Sequence, residues 1–346
     1  TGADWRPSKR GYPKIGSLLT EVLMEYKVSV IIPVYKVEKF IGRCVRSLME
    51  QTLTDVEYIF VDDASPDGSI GVLRQVLAGY PERSSHVRIL THPENKGLPA
   101  ARNTGLAVAQ GEYIFHCDSD DFVEPDMLEQ LYGKATETDA DIVWCDWYLT
   151  FEKSERYMKQ PEYTTPLEAL KGMLGGVWNK LVRRSLYVEN GIIFPAGYGM
   201  GEDMTIMMLF AHAQKVSYVP RAFYHYVKMN TSAFSHTISQ AHFDSLKHNV
   251  ERVSNYLTNI LGDHLKQDIA FLKLEAKFPL LIMSPDFTLY HLWQQWYPEA
   301  NRFILKNKNV SLRSRIVQLC ARFHLYGLVW LHYQIVCRFI YGFIYK

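Results

Sequence analysis

The sequence predicts an α/β fold, a doubly wound sheet flanked by helices and followed by a helical C-terminal extension. Three observations predict it. Between Lys27 and Cys117, short β-branched or aromatic runs alternate with segments of helical spacing. The first of those runs is apolar at successive positions, as in a strand buried on both faces. Each run also ends in a polar cluster, where open α/β sheets bind ligands.

The elements follow in order. "KVSVIIPVY" from Lys27 is too apolar for a half-wet strand and too short for a helix, so a buried parallel strand ending near Pro33 fits. "EKFIGRCVRSLMEQT" places Phe40, Ile41, Cys44, Val45, Leu48 and Met49 at helical spacing. "VEYIFVDDASPDGSI" reads as a second strand running into a turn, and "IGVLRQVLAGY" as a helix. "HVRILTHPENKGL" supplies a third strand and loop. "PAARNTGLAVAQ" is a helix opened by Pro99, whose missing N–H costs nothing there, and "EYIFHC" is the fourth strand.

With 346 residues, the chain can hold one enzyme-sized domain and an appended piece. A formal net charge of +1 gives no bulk attraction to nucleic acid. The five cysteines are widely spaced without a C-x-x-C pair, which suits reduced thiols and a cytoplasmic location. Residues 1–26 read as an N-terminal extension, because "MEYKVSVIIPVY" from Met24 resembles a natural start.

The segment "GEYIFHCDSDDFVEPDML" gathers Asp118, Asp120 and Asp121. Like charges this close raise one another's pKa, so a cation or strong donors must compensate them. Strand alternation would point Asp118 and Asp120 one way and Ser119 and Asp121 the other. Paired oxygen ligands suit Mg²⁺ or Mn²⁺, with water and substrate phosphates completing the shell. The alternative is an acidic turn at the start of the helix near Pro125. No G-x-G-x-x-G follows the first strand and no G-K-[ST] occurs, so a metal aided by Lys96 or Arg102 is expected to hold phosphate. Solvated surface cations are the alternative for those two.

The blocks "VSVIIPVYKVEKFIGRCVRSLMEQT", "VDDASPDGS", "NKGLPAARNTGL" and "GEYIFHCDSDD" together resemble family 2 glycosyltransferases with the GT-A fold, whose sheet is doubly wound and mixed. Their order and spacing agree from Val28 to about Met127, and more loosely to about Ser235. The resemblance implies metal-dependent, inverting transfer of a sugar from a nucleotide-sugar, most often a UDP-sugar. It implies that Pro33 and Tyr35 pack on the base, that Glu38 lies nearby, and that Asp63 accepts the uracil N–H. Asp118 would lie near ribose and metal, Asp120 would ligate the metal, and Ser119 goes with the donor contacts. Lys36 stands where the family commonly has Asn.

A base for the acceptor is offered by "GYGMGEDMTIMMLFAHA". Glycines 197, 199 and 201 permit unusual backbone angles, and Glu202 and Asp203 then open an apolar helix. Both acids can simply favour the helix start, but G-E-D resembles the family's catalytic-base motif. Asp203 is the expected base, and Glu202 is expected to cap the helix or border the acceptor. "GGVWNKLVRRSLYVENGIIFP" resembles a segment between donor and acceptor pockets. Trp178 would stack on a sugar there and Lys180 would meet a phosphate, against core packing and a surface lysine respectively. "FYHYVKMNTSAFSH" carries His225 and His236 near where some relatives supply a histidine to the metal. A hydrogen-bonded structural histidine is the alternative.

A nucleotidyltransferase would also use paired aspartates and Mg²⁺, but "IPVYKVEKF" lacks its Gly/Arg-rich loop. A catalytically silent sugar-nucleotide scaffold is the third reading. The expected organisation is a catalytic domain over 27–235, with a donor half to 127 and an acceptor half from 128, then a helical region over 236–346. From Ala300 onward that region has eight Lys or Arg and no acid, with Trp330, Tyr326, Tyr333, Tyr341 and Tyr345 among apolar residues. Peripheral attachment to an anionic membrane surface is expected, bringing the site to a saccharide or lipid-linked acceptor. Packing on the catalytic domain or in a homodimer is the alternative. His324, His332, Gln334 and Arg338 argue against a spanning helix.

Overall fold

The computed structural model describes residues 26–172, 175–229 and 239–344, the last six by backbone alone. Its first half alternates as expected: β1 (Val28–Val34), α1 (Ile41–Met49), β2 (Val56–Asp62), α2 (Ser69–Leu77), β3 (Val87–Thr91), α3 (Leu98–Val108) and β4 (Tyr113–His116). All of β1, β2 and β4 is buried, because helices cover both faces of the sheet. Val28, Val30, Ile32 and Val34 enter one core with Ile41, Cys44 and Leu48 of α1. Ile31 enters the opposite core with Ala101 of α3.

The second half adds β5 (Phe122–Val123), α4 (Met127–Thr138), β6 (Ile142–Thr150), β7 (Glu155–Met158), α5 (Pro166–Lys171), β8 (Lys180–Arg183), α6 (Arg184–Asn190), α7 (Thr205–Phe210) and β9 (Val216–Val227). The described residues form one sheet of order β3-β2-β1-β4-β8-β6-β9-β5, with β7 on β6. Strands β1 to β4 pair in parallel, whereas β8 runs antiparallel between β4 and β6. The sheet is therefore mixed.

Register positions the site. Val34 pairs with Asp62, Asp62 with Thr91, and Ile31 with His116. The carboxyl ends of β1, β2 and β4 thus lie side by side, and Tyr35, Asp63 and Asp118 emerge along one edge.

After the domain come α8 (Gln240–Leu261), α9 (Lys266–Lys277), α10 (Pro279–Ile282), α11 (Phe287–Gln295), α12 (Leu312–Arg322) and α13 (Tyr326–His332), which continues as a wider coil over Tyr333–Ile344. A third core joins Phe243, Leu274, Tyr290, Trp293, Val317 and Val329. Helix α8 belongs to both sides, because Val253 and Leu257 pack in the catalytic core while Phe243 and Val250 pack in the third. The expected boundary at 235/236, His236, the extension before Tyr26, and Tyr345 and Lys346 lie outside the described residues. Among the described residues no helix is long and apolar enough to cross a membrane.

Candidate active site

Strand β4 ends at His116, and Asp118 to Asp121 form a turn in which the Asp121 amide donates to the Asp118 carbonyl at 3.1 Å. Strand alternation therefore does not apply to D-S-D-D. Asp118 and Asp120 are half-buried, and Ser119 and Asp121 are buried. The Asp121 carboxylate accepts from the Tyr224 hydroxyl and the Val227 amide, each at 2.7 Å. Burial, then the charges of Asp120 and Asp118, push its carboxyl well above the usual range. Asp121 thus fixes the turn to β9.

Among the described residues no three metal-ligating side chains group closely enough to hold an ion unaided. Asp118 and Asp120 still fit Mg²⁺ or Mn²⁺, since two carboxylates suffice when substrate phosphates and water complete the shell.

Arg102 on α3 joins this turn to the G-E-D segment. Its Nη2 lies 2.9 Å from Asp118 Oδ1 and its Nη1 3.3 Å from Glu202 Oε1. The guanidinium is buried and stands 5.4 Å from the Phe194 ring centre. Burial opposes its charge, but Asp118, Glu202 and Asp203 outweigh burial and raise its pKa. The phosphate contact expected of Arg102 is not what the structure gives; two carboxylates hold the fork.

Glu202–Met204 form a single 3₁₀ turn, and the α-helix expected to open at Glu202 begins at Thr205. Gly201 enters the turn at φ 79°, where a side chain would be strained. Glu202 makes no cap; it reaches Arg102 instead. Burial pushes its carboxyl up to about 8 against the pull of Arg102, and the Asp203 charge adds to the rise. Half-buried Asp203 acts electrostatically on Arg102, Lys180 and Tyr226, so it belongs to the same cluster. Helix α8 holds the preceding loop: buried Asn249 donates to the Tyr198 and Met200 carbonyls at 3.3 and 2.7 Å. His248 stacks on Tyr198 with centroids 3.6 Å apart.

On the expected donor side, Pro33 is buried in β1 and Tyr35 is 39% exposed just beyond it. Lys36 takes φ 55°, with its amide on Ser65 Oγ at 2.8 Å and its ammonium 5.1 Å from the Tyr35 ring centre. Glu38 accepts from the Gly68 amide at 3.1 Å, at the start of α2. Buried Asp63 accepts from the Lys96 and Gly97 amides, each at 2.8 Å, and faces His92 Nδ1 at 2.7 Å. It anchors the loop before α3, while the Lys96 side chain is exposed.

Trp178 is half-buried in an aromatic wall, with centroids 4.8 Å from Tyr224, 5.4 Å from Tyr226 and 5.1 Å from Trp147. Burial, then the charges of Asp121, Asp118, Asp120 and Asp203, push the Tyr226 hydroxyl up to about 12. The wall therefore borders both acidic groups. Trp147, Tyr224, Tyr226, His92 and Asn249 escaped the sequence reading, although the alternate aromatics of "FYHYV" signal one strand face.

Two expected site residues are engaged by other partners. Lys180 is fully buried, and its Nζ donates to the Gly175 and Gly176 carbonyls and Asn179 Oδ1 at 2.6, 2.7 and 2.8 Å. Burial brings its pKa down to about 7, opposed by Asp203. It secures a loop and has no donor left for a phosphate. His225 points away from Tyr224 and Tyr226 by strand alternation. Its ring stacks on Phe122 and Tyr148, and its two nitrogens each face a carboxylate, Glu124 and Glu155, at 2.8 Å. Both ring nitrogens are thus engaged by carboxylates outside the D-S-D-D turn.

Comparison with known proteins agrees with this geometry. The profile "Glycosyl transferase family 2" matches residues 29–199. A cholesterol galactosyltransferase of Borreliella burgdorferi is 34% identical over 310 residues, covering 80% of this chain and 83% of that protein. Glycosyltransferase GlyG of Streptococcus pneumoniae is 30% identical, covering 60% and 73%. The structure of S. aureus TarS 1-349 in complex with UDP-GlcNAc superposes with a TM-score of 0.66 at 22% identity, covering 89% of this chain and 91% of that one. That likeness shows the fold, a mixed GT-A sheet with a helical C-terminal region. With matching sequence blocks, fold and acidic cluster, the chain belongs to glycosyl transferase family 2 and is a glycosyltransferase.

Proposed function

We propose that the protein is an inverting transferase that moves a sugar from a UDP-sugar to a hydroxyl of a saccharide or lipid-linked acceptor. The observation that carries this reading is the Arg102 fork, which ties Asp118 at the end of the donor half to the Glu202–Asp203 turn. Donor and acceptor chemistry can then meet at one cluster. Tyr35, at the exposed end of β1, offers an aromatic face to the base. Asp118 and Asp120 would hold Mn²⁺ or Mg²⁺, which when bound supplies positive charge to the departing diphosphate.

Asp203 takes the proton from the acceptor hydroxyl as that oxygen attacks the anomeric carbon opposite the leaving group. The new C–O bond forms as the bond to the diphosphate oxygen breaks, and the electron pair leaves on UDP. Configuration inverts without a covalent intermediate. Arg102 positions Asp118 and Glu202, and Trp178 and Tyr226 give the acceptor side an apolar wall. A relative named for transfer to cholesterol supports a lipid hydroxyl as one acceptor class. A cytoplasmic site of action, at the inner face of the membrane, belongs to the same proposal.

A thermal-shift screen of nucleotide-sugars with Mn²⁺ tests the donor, because ligand binding to the native state raises its midpoint. UDP-sugars should raise it and lose that effect with chelator. A response confined to GDP- or CMP-sugars would contradict the UDP assignment.

A further inference from the structure

We infer that α12 and α13 form a docking surface for an anionic lipid bilayer. One side of the pair is anchored, because Val317, Ala321 and Val329 lie in the third core. The other side is apolar and uncovered. Leu312, Ile316 and Phe323 follow one stripe of α12, and Leu325, Leu328 and Leu331 follow one stripe leading along α13. All six, with Trp330, are between 41 and 63% exposed. A groove of about 450 Å³ lies where Ile316 and Cys320 meet Leu328. An apolar face this continuous marks an interaction site.

Charge selects the occupant. Eight of the chain's 38 Lys and Arg residues, and none of its 37 acids, fall between Ala300 and Lys346. Arg302, Lys306, Lys308, Arg313, Arg322 and Arg338 are exposed. A second copy docking by the same face, as two-fold symmetry requires, would bring together the cations that border it, Arg313 in the groove and Arg322 at 5.5 Å from the Phe323 ring centre. An anionic bilayer meets both features. The aliphatic side chains and Trp330 enter the headgroup zone while the cations face lipid phosphates. Among the described residues neither the 11-residue α12 nor α13 with its wider continuation is long and apolar enough to cross a membrane, which suits a place on its surface. This inference goes beyond the reaction and depends on neither donor nor acceptor.

Flotation of the full chain tests it at low salt, with vesicles of equal parts phosphatidylcholine and phosphatidylserine and with phosphatidylcholine alone. Point variants are needed, since removing the helices would open the third core. Phe323→Glu with Leu328→Glu attacks the apolar face, and Lys306→Glu with Lys308→Glu attacks the charge. The native chain should float with the anionic vesicles only, and each pair should lower the bound fraction about tenfold or more. Unchanged thermal midpoints and UDP affinity would show that both variants remain folded. Flotation that is absent, or equal in native chain and variants, overturns the inference. So does a native dimer in solution that Phe323→Glu with Leu328→Glu converts to monomer, because a second copy then covers the face.

Discussion

The guanidinium of Arg102 lies 2.9 Å from the carboxylate of Asp118, and its other terminal nitrogen reaches Glu202, a hundred positions along the chain, at 3.3 Å. Arg102 is buried, so the three groups stand or fall together. Breaking a buried charge pair from one side leaves the other side uncompensated.

Replacing Arg102 by Met should therefore cost about 3–5 kcal/mol and abolish transfer. Arg102→Lys should cost less, since it keeps the charge and loses only the fork. Urea midpoints with unchanged slopes would verify this order. Equal midpoints for native chain and Arg102→Met would show the clamp to be idle.

Glu202 should make stability depend on pH. Its carboxyl is raised from 4.5 to about 8 in the folded protein. The native state therefore binds more protons than the unfolded chain between those values. The linked stability is fully present below 4.5 and is lost as pH rises through about 8. Glu202→Gln should remove that loss, so its advantage over the native chain in denaturant midpoint should grow from acid to alkaline pH. A constant difference would contradict the shift.

Much of this was legible in the sequence. The apolar run of "KVSVIIPVY" identified β1 as doubly buried, and polar residues at the strand ends marked Tyr35, Asp63 and Asp118 as neighbours. What escaped notice depends on distant partners. A lysine's charge does not tell whether carbonyls or phosphates receive it, and only folding brings Gly175 and Gly176 onto Lys180. His225 was misread for a similar reason, because Glu155 of β7 and Glu124, just after β5, approach it from distant parts of the chain. Arg102 was singled out for a phosphate, but its fork meets Asp118 and Glu202.

Asn249 ties the helical C-terminal region to the loop that precedes Asp203. Asn249→Ala leaves the Tyr198 and Met200 carbonyls without their side-chain donor, at a cost of about 1–3 kcal/mol. The loop leading to Asp203 should then be misplaced, lowering kcat while UDP affinity stays within error. Steady-state kinetics alongside UDP titration separate the two effects; a loss of UDP affinity with unchanged kcat would assign Asn249 to the donor side.

Asp203→Asn should lower transfer by about 10² to 10⁴, the scale of general-base catalysis. Single-turnover rates at saturating donor give the direct comparison. An unchanged rate would move the base elsewhere.

The separation of donor binding from proton transfer is tested most directly by calorimetric titration of UDP, with and without Mn²⁺, into the native chain, Asp120→Asn and Asp203→Asn. The native chain and Asp203→Asn should bind UDP alike, and more tightly with Mn²⁺, while Asp120→Asn should lose the Mn²⁺-dependent gain. UDP binding that is indifferent to Mn²⁺ in the native chain, or abolished by Asp203→Asn, would contradict the account.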